Sequence, residues 1–314
     1  MKTHRIHGLV AATHTPFHAD GSLNLAVVEK QASHLLSTGV TRVFIGGTTG
    51  EGHSLSLEER KALATRWSEA ARGTGLRFIV HVGANCLGDV RSLAAQAQEL
   101  GAEAISALAP SYFKPRNVKA LVDCCAEIAE AAPELPFYYY DIPAFTGVSL
   151  SLPDFLRQAT DRIPTLAGIK YTNLDGMMFQ QCLHHDGGAF DILWGPDESL
   201  LAGIALGARG AVGSSYNFAA PIYQRVIRAF EANDFATARA EQMRSVHMIA
   251  RIAADGYMAS AKAVMKMLGV DVGPTRLPNA NLAAAQVKSL RSDLEQMGFF
   301  EWVKPASPDK PVLS

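Results

Sequence analysis

The chain has 314 residues and a formal net charge of -1, enough length for one large α/β domain or two small ones. Near-neutral charge without a long basic run argues against nucleic acid or an anionic membrane as partner, and no segment approaches membrane-spanning length. Cys86, Cys124, Cys125 and Cys182 are scattered with no C-x-x-C spacing, which fits reduced thiols in a cytoplasmic protein better than a disulfide or a zinc site. The short apolar run from Gly8 to Ala12 is too brief for a signal-peptide core.

Strand-like and helix-like runs alternate almost from the start. Leu9 to Ala12 reads as a strand, followed by a turn at Asp20-Gly21 and a helical pattern from Leu23 to about Leu36. Arg42 to Ile45 leads into the glycine-rich Gly46-Gly47-Thr48-Thr49-Gly50-Glu51, and Ser56-x-x-Glu59 is a capping-box signature for a helix through Trp67. Phe78 to Gly83 and Ala104 to Leu108 are the third and fourth strands, with helices after Gly88-Asp89 and from Val118 to Ala131. Phe137 to Tyr140 is the fifth. Leu166 to Thr172 is the sixth, with helix-start chemistry at Asn173. Asp191 to Trp194 and Gly210 to Gly213 complete the set. Eight alternations with near-continuous apolar strands predict parallel pairing and a closed (β/α)8 TIM barrel over residues 1–230. Residues 231–314 predict a helical extension. Phe235, Ala238, Met243, Val246 and Ile249 form one apolar rhythm for packing on the barrel or another subunit, further helices follow over 261–268 and 282–297, and 305–311 is a loose tail.

A barrel of this kind places its active site at the C-terminal ends of the strands. Polar residues concentrate there: Thr48 and Thr49, Tyr112, Tyr140-Asp141, Lys170 and Thr172, Gly195-Pro196-Asp197-Glu198, and Ser214. Lys170 stands out because its strand is otherwise apolar. A buried ammonium without a partner is costly, and the usual outcome is a neutral amine able to attack a carbonyl. The plainer alternative is a strand-end lysine reaching solvent or an ion pair. Gly168 shares the Lys170 face and is expected to leave room beside the amine. The Gly46 loop lacks the lysine of a Walker motif but can offer backbone N–H groups and two hydroxyls to a carboxylate, or be an ordinary turn. Tyr140 can relay a proton or be a core tyrosine; Asp197 and Glu198 can cap a helix, bind hydroxyls, or both. His184-His185-Asp186 reads as a solvated loop, because adjacent histidines diverge on any regular element.

Gly46-Gly-Thr-Thr-Gly-Glu, Tyr140-Asp141-Ile142-Pro143 and Gly168-Ile169-Lys170, in that order, resemble the dihydrodipicolinate synthase / N-acetylneuraminate lyase superfamily of pyruvate-dependent class I aldolases, from about Thr13 through Asn217. The resemblance implies a Schiff base between Lys170 and pyruvate, proton relay by Tyr140, and a carboxylate held by Thr48 and Thr49, with no metal or organic cofactor. It also implies that Tyr112 is lent across a dimer interface and that the assembly is a homotetramer. Phe145 stands where the synthase branch carries an arginine. Lys170-Tyr171-Thr172, Gly195-Pro196-Asp197-Glu198 and Gly213-Ser214-Ser215-Tyr216-Asn217 resemble the lyase branch instead. By that resemblance Thr172, Gly195, Asp197, Glu198 and Ser214 bind the sugar chain of a sialic acid. Asp141, where many members carry Asn or His, is expected to point away from substrate. The competing expectations are a related aldolase or dehydratase for another sugar acid, and a non-catalytic barrel that binds a small acid for regulation.

Overall fold

The computed structural model describes residues 4–304, so the tail expected over 305–311 lies outside the described residues. Eight parallel strands close into a barrel in sequence order: β1 Gly8–Ala12, β2 Arg42–Ile45, β3 Arg77–His81, β4 Ala104–Leu108, β5 Phe137–Asp141, β6 Leu166–Tyr171, β7 Asp191–Trp194 and β8 Gly210–Gly213. Closure runs through β1 and β8, where Gly8 faces Gly210 and Ala11 faces Gly213. The helices between strands are α1 Val28–Ser37, α2 Leu57–Ala71, α3 Leu87–Glu99, α4 Val118–Ala129, α5 Pro143–Thr146, α6 Leu152–Ala159, α7 Gly176–His184 and α8 Leu200–Ala205. After β8 come α9 Tyr216–Glu231, α10 Phe235–Ala254, α11 Tyr257–Met267, α12 Ala284–Met297 and α13 Phe299–Trp302. Among the described residues no helix is long and apolar enough to cross a membrane.

Alternation along each strand separates two cores. Outward residues such as Val43, Phe78, Ile105, Tyr139, Ile169 and Trp194 pack beneath the helices. Inward residues, among them Val10, Phe44, Ile79, Ala104, Tyr138, Leu193 and Val212, fill the barrel. Its lower end is held by Asp191, whose carboxylate accepts the Tyr138 hydroxyl and the Ile6 N–H, both at 2.9 Å. Local chemistry starts the helices: Ser56 and Glu59 form the expected capping box on α2, and Asn117 accepts the Ala120 N–H to start α4.

Four expectations change. The helix predicted from Leu23 begins as a 3-10 turn at Leu25 and becomes α-helical at Val28, because Leu23 is paired in an antiparallel bridge with Phe17. The cap of α7 is Asp175, not Asn173: the Asp175 carboxylate accepts the Met177 and Met178 N–H groups, while the Asn173 amide donates to Asp141. Gly168 does not make room for the amine. The pairing of β5 with β6 slips between Phe137 and Tyr138, and a Cβ on Gly168 would lie 1.7 Å from the Asp191 carbonyl oxygen. The glycine lets two backbones approach. Finally, the buried face of α10 is Ala238, Glu241, Gln242, Ser245, Met248 and Ile252, leaving Phe235 and Met243 exposed. Hydrogen bonding outweighs apolar periodicity there. Gln242 turns inward to accept the Leu201 N–H at 2.8 Å and donate to the Glu198 carbonyl at 3.0 Å.

Candidate active site

A cavity of about 710 Å³ opens at the C-terminal ends of the strands. Thr48, Thr49, Tyr140, Lys170, Thr172, Gly195, Asp197, Glu198 and Ser214 all line it. Tyr112 does not: it stands on the surface, 77% exposed, with its ring edge-on to Phe113.

Lys170 rises from the inner face of β6, level with Tyr140 on β5 and Leu193 on β7. It is 4% exposed, and its Nζ lies 3.8 Å from the Tyr140 ring centroid and 4.2 Å from that of Phe44. No ion pair engages it among the described residues. Burial lowers its pKa, with the Tyr140 hydroxyl and the Asp197 carboxylate acting in the opposite direction. Desolvation therefore favours the free amine, the form that attacks a carbonyl. The Tyr140 hydroxyl is 3.3 Å from the Thr48 hydroxyl, joining the amine's aromatic floor to the glycine-rich loop.

That loop folds back on itself because its glycines permit it. Gly46 sits at φ +67°, and a Cβ on Gly52 would lie within 1.9 Å of the Gly46 carbonyl oxygen. Across the cavity, Gly195 serves a similar end: a Cβ there would meet the Thr172 hydroxyl at 2.1 Å. The Thr172 hydroxyl is buried without a protein partner, as suits a group waiting for a ligand.

Asp197 does not cap the short helix it begins, and neither does Glu198. The Asp197 carboxylate instead accepts the Ser215 N–H at 2.8 Å and the Ser215 hydroxyl, which also meets the Tyr223 hydroxyl at 2.5 Å. This ties the β7 loop to the β8 loop. Burial, and then Asp197 beside it, raise the pKa of the Glu198 carboxyl. Asp141 lies outside the cavity lining, as expected, with its carboxylate 3.1 Å from the Asn173 amide nitrogen. Burial raises its pKa to about 6.

Sequence reasoning missed several residues of the site. Tyr257, the first residue of α11, lines the cavity and meets the Ser214 hydroxyl at 2.6 Å. Phe44 forms part of the floor under the amine, and its ring is 5.7 Å from that of buried His81, whose two nitrogens have no partner. Burial holds His81 well below the usual imidazole pKa, so it is neutral. Only a fold model for the C-terminal helices would have exposed Tyr257; Phe44 was legible as an inward residue of β2.

Comparison with known proteins agrees with this fold. The family model described as "Dihydrodipicolinate synthetase family" matches residues 5–297. The N-acetylneuraminate lyase of Gallus gallus is 38% identical over 297 residues, covering 93% of this chain and 96% of its own. The solved N-acetylneuraminate lyase of Proteus mirabilis superposes with a TM-score of 0.91 at 40% identity, over 94% of this chain and 100% of that one. The DHDPS of Cyanidioschyzon merolae, solved with lysine bound, superposes at 0.86 with 27% identity, over 93% of this chain and 98% of that one.

Proposed function

The chain belongs to the dihydrodipicolinate synthetase family, and from that premise we propose that it is a Schiff-base carbon–carbon lyase that reversibly cleaves N-acetylneuraminate to N-acetylmannosamine and pyruvate. The observation that carries this reading is the buried amine of Lys170, in no ion pair among the described residues, in a cavity it shares with Tyr140 and Thr48. The lyase branch is favoured over the synthase branch by Phe145, 71% exposed on α5 at the cavity rim, and by the lack of any arginine lining the cavity among the described residues. A second substrate carboxylate has no fork of guanidinium donors to meet it.

The Lys170 amine attacks the keto carbon at C2, and the hydroxyl of the resulting carbinolamine departs as water with a proton from the Tyr140 phenol. The iminium draws in the electrons of the C3–C4 bond as the Tyr140 oxygen takes the proton of the C4 hydroxyl, so the aldehyde leaves and an enamine remains. Tyr140 returns that proton to C3, and water hydrolyses the iminium to free pyruvate and the amine. Thr48 and Thr49 hold the carboxylate in this scheme. Thr172, Gly195, Asp197, Glu198 and Ser214 face the hydroxylated chain, and polar groups left unpaired would penalise an apolar competitor. The lysine supplies the electrophile, so the scheme needs no metal or organic cofactor.

In the same reading residues 1–230 form the catalytic barrel and 231–314 an extension packed on it, in a cytoplasmic homotetramer where Tyr112 completes a neighbour's site. Borohydride reduction with pyruvate present is expected to leave a mass adduct on Lys170. Cleavage of N-acetylneuraminate is expected from the wild type and not from Lys170→Ala. No adduct, or one on another lysine, overturns the mechanism; an adduct without cleavage of this substrate, set against a panel of other sugar acids, overturns only the substrate.

A further inference from the structure

A second buried lysine lies behind the wall of the same cavity, in contact with Glu51, which lines it. Lys262, on α11, is 2% exposed, and its Nζ lies 2.7 Å from the Glu51 carboxylate. It also donates to the Thr15 carbonyl at 2.9 Å and the Pro274 carbonyl at 2.7 Å. Two carbonyls take N–H donors of the ammonium, and the carboxylate supplies its counter-charge. Glu51 is the last residue of the glycine-rich motif, lines the cavity with Thr48 and Thr49, and holds a left-handed backbone with φ at 51°. A non-glycine residue in that conformation is strained. Its other carboxylate oxygen accepts the Arg276 N–H at 2.8 Å.

We propose that Lys262 is a positioning residue for the substrate carboxylate: it neutralises Glu51 inside the loop that receives that carboxylate at Thr48 and Thr49. This rests on the reading of Lys170 and the loop as a keto-acid site. A glutamate two residues beyond Thr49 places negative charge in the wall that must accept an anion. Like charges in such a poorly solvated place repel strongly. A cation at contact distance cancels that field and holds the carboxylate turned toward α11. A buried ion pair is by itself weak evidence of a stabilising role, since apolar replacements are often as stable.

The test uses the full chain as wild type, Lys262→Met, Glu51→Gln and the double variant. The readouts are the pyruvate concentration that half-saturates borohydride trapping on Lys170, KM for N-acetylmannosamine in the condensation direction, and Tm. Lys262→Met is expected to raise half-saturating pyruvate at least about tenfold while KM for N-acetylmannosamine stays within about threefold. Glu51→Gln is expected to do less damage, and the double variant to return within about threefold of wild type. Equal damage from the two single variants, an equal rise for both substrates, or a lowered Tm with unchanged pyruvate saturation would overturn the proposal. Should Lys262→Met not fold, a tenfold rise in the double variant overturns it. Failure of the wild type itself to trap pyruvate would instead sink the underlying assignment of Lys170.

Discussion

Lys170 and Lys262 are both almost wholly buried, and burial lowers the pKa of each. Their surroundings differ in kind. Lys262 has a carboxylate and two carbonyls within 2.9 Å, whereas Lys170 rests on the faces of two aromatic rings. At the first, a carboxylate opposes the effect of burial and supports the ammonium; at the second, no carboxylate is in contact among the described residues and burial favours the free amine. Burial alone makes neither a nucleophile. What separates them is whether the protein supplies the counter-charge that the charged form requires.

The harshest way to break the comparison is Lys170→Met. Cleavage and pyruvate trapping are expected to fall by at least about 10^4-fold, as on removal of a covalent nucleophile elsewhere. Tm should hold or rise, since a buried amine without an ion pair gives way to an apolar side chain. A marked fall in Tm would show that Lys170 is paired after all. Tyr140→Phe sharpens the contrast by keeping the aromatic floor and removing only the hydroxyl. Its kcat is expected to drop about 10^2- to 10^4-fold, with the adduct still forming on Lys170 but more slowly because the phenol no longer supplies the proton that expels water; wild-type turnover would exclude Tyr140 as the relay.

The smallest effect concerns Asp141, which is buried with an amide for partner and, among the described residues, in no ion pair. In the folded chain it holds its proton to about pH 6, against 3.8 for an ordinary aspartate. The folded state therefore binds more protons across that window, and stability falls as pH rises through it. Above pH 6 the ionised carboxylate costs on the order of 2–3 kcal/mol. Asp141→Asn should raise Tm at pH 8 and do little at pH 4. Equal Tm for the two chains at pH 8 would mean that the carboxylate is better solvated than its burial implies.

Much of this was open to inspection in the chain itself. Apolar runs bounded by glycine, proline and capping residues place all eight strands to within a residue or two, because a strand covered on both sides has to be apolar throughout. Lys170, Tyr140 and Thr48 are legible because each breaks or ends such a run. The Glu51–Lys262 pair and the Ser214–Tyr257 contact are not. They join residues more than forty positions apart through helices that return over the barrel mouth, and no local pattern encodes that return. On α10 the local pattern misleads, since Gln242 is buried for its hydrogen bonds while Phe235 and Met243 are left outside. Gly168 misleads in the same way, because its neighbour in space is the backbone of another strand.

The bare backbone at Gly195 limits how the protein can be retuned. Even alanine there would press on the Tyr171 carbonyl oxygen at 2.7 Å as well as on Thr172, so no compensating exchange at 172 alone would relieve it. That wall belongs to the scaffold and resists drift. Lineages seeking a different acceptor sugar are steered toward positions with slack, such as Phe145 and Leu174, both exposed at the rim.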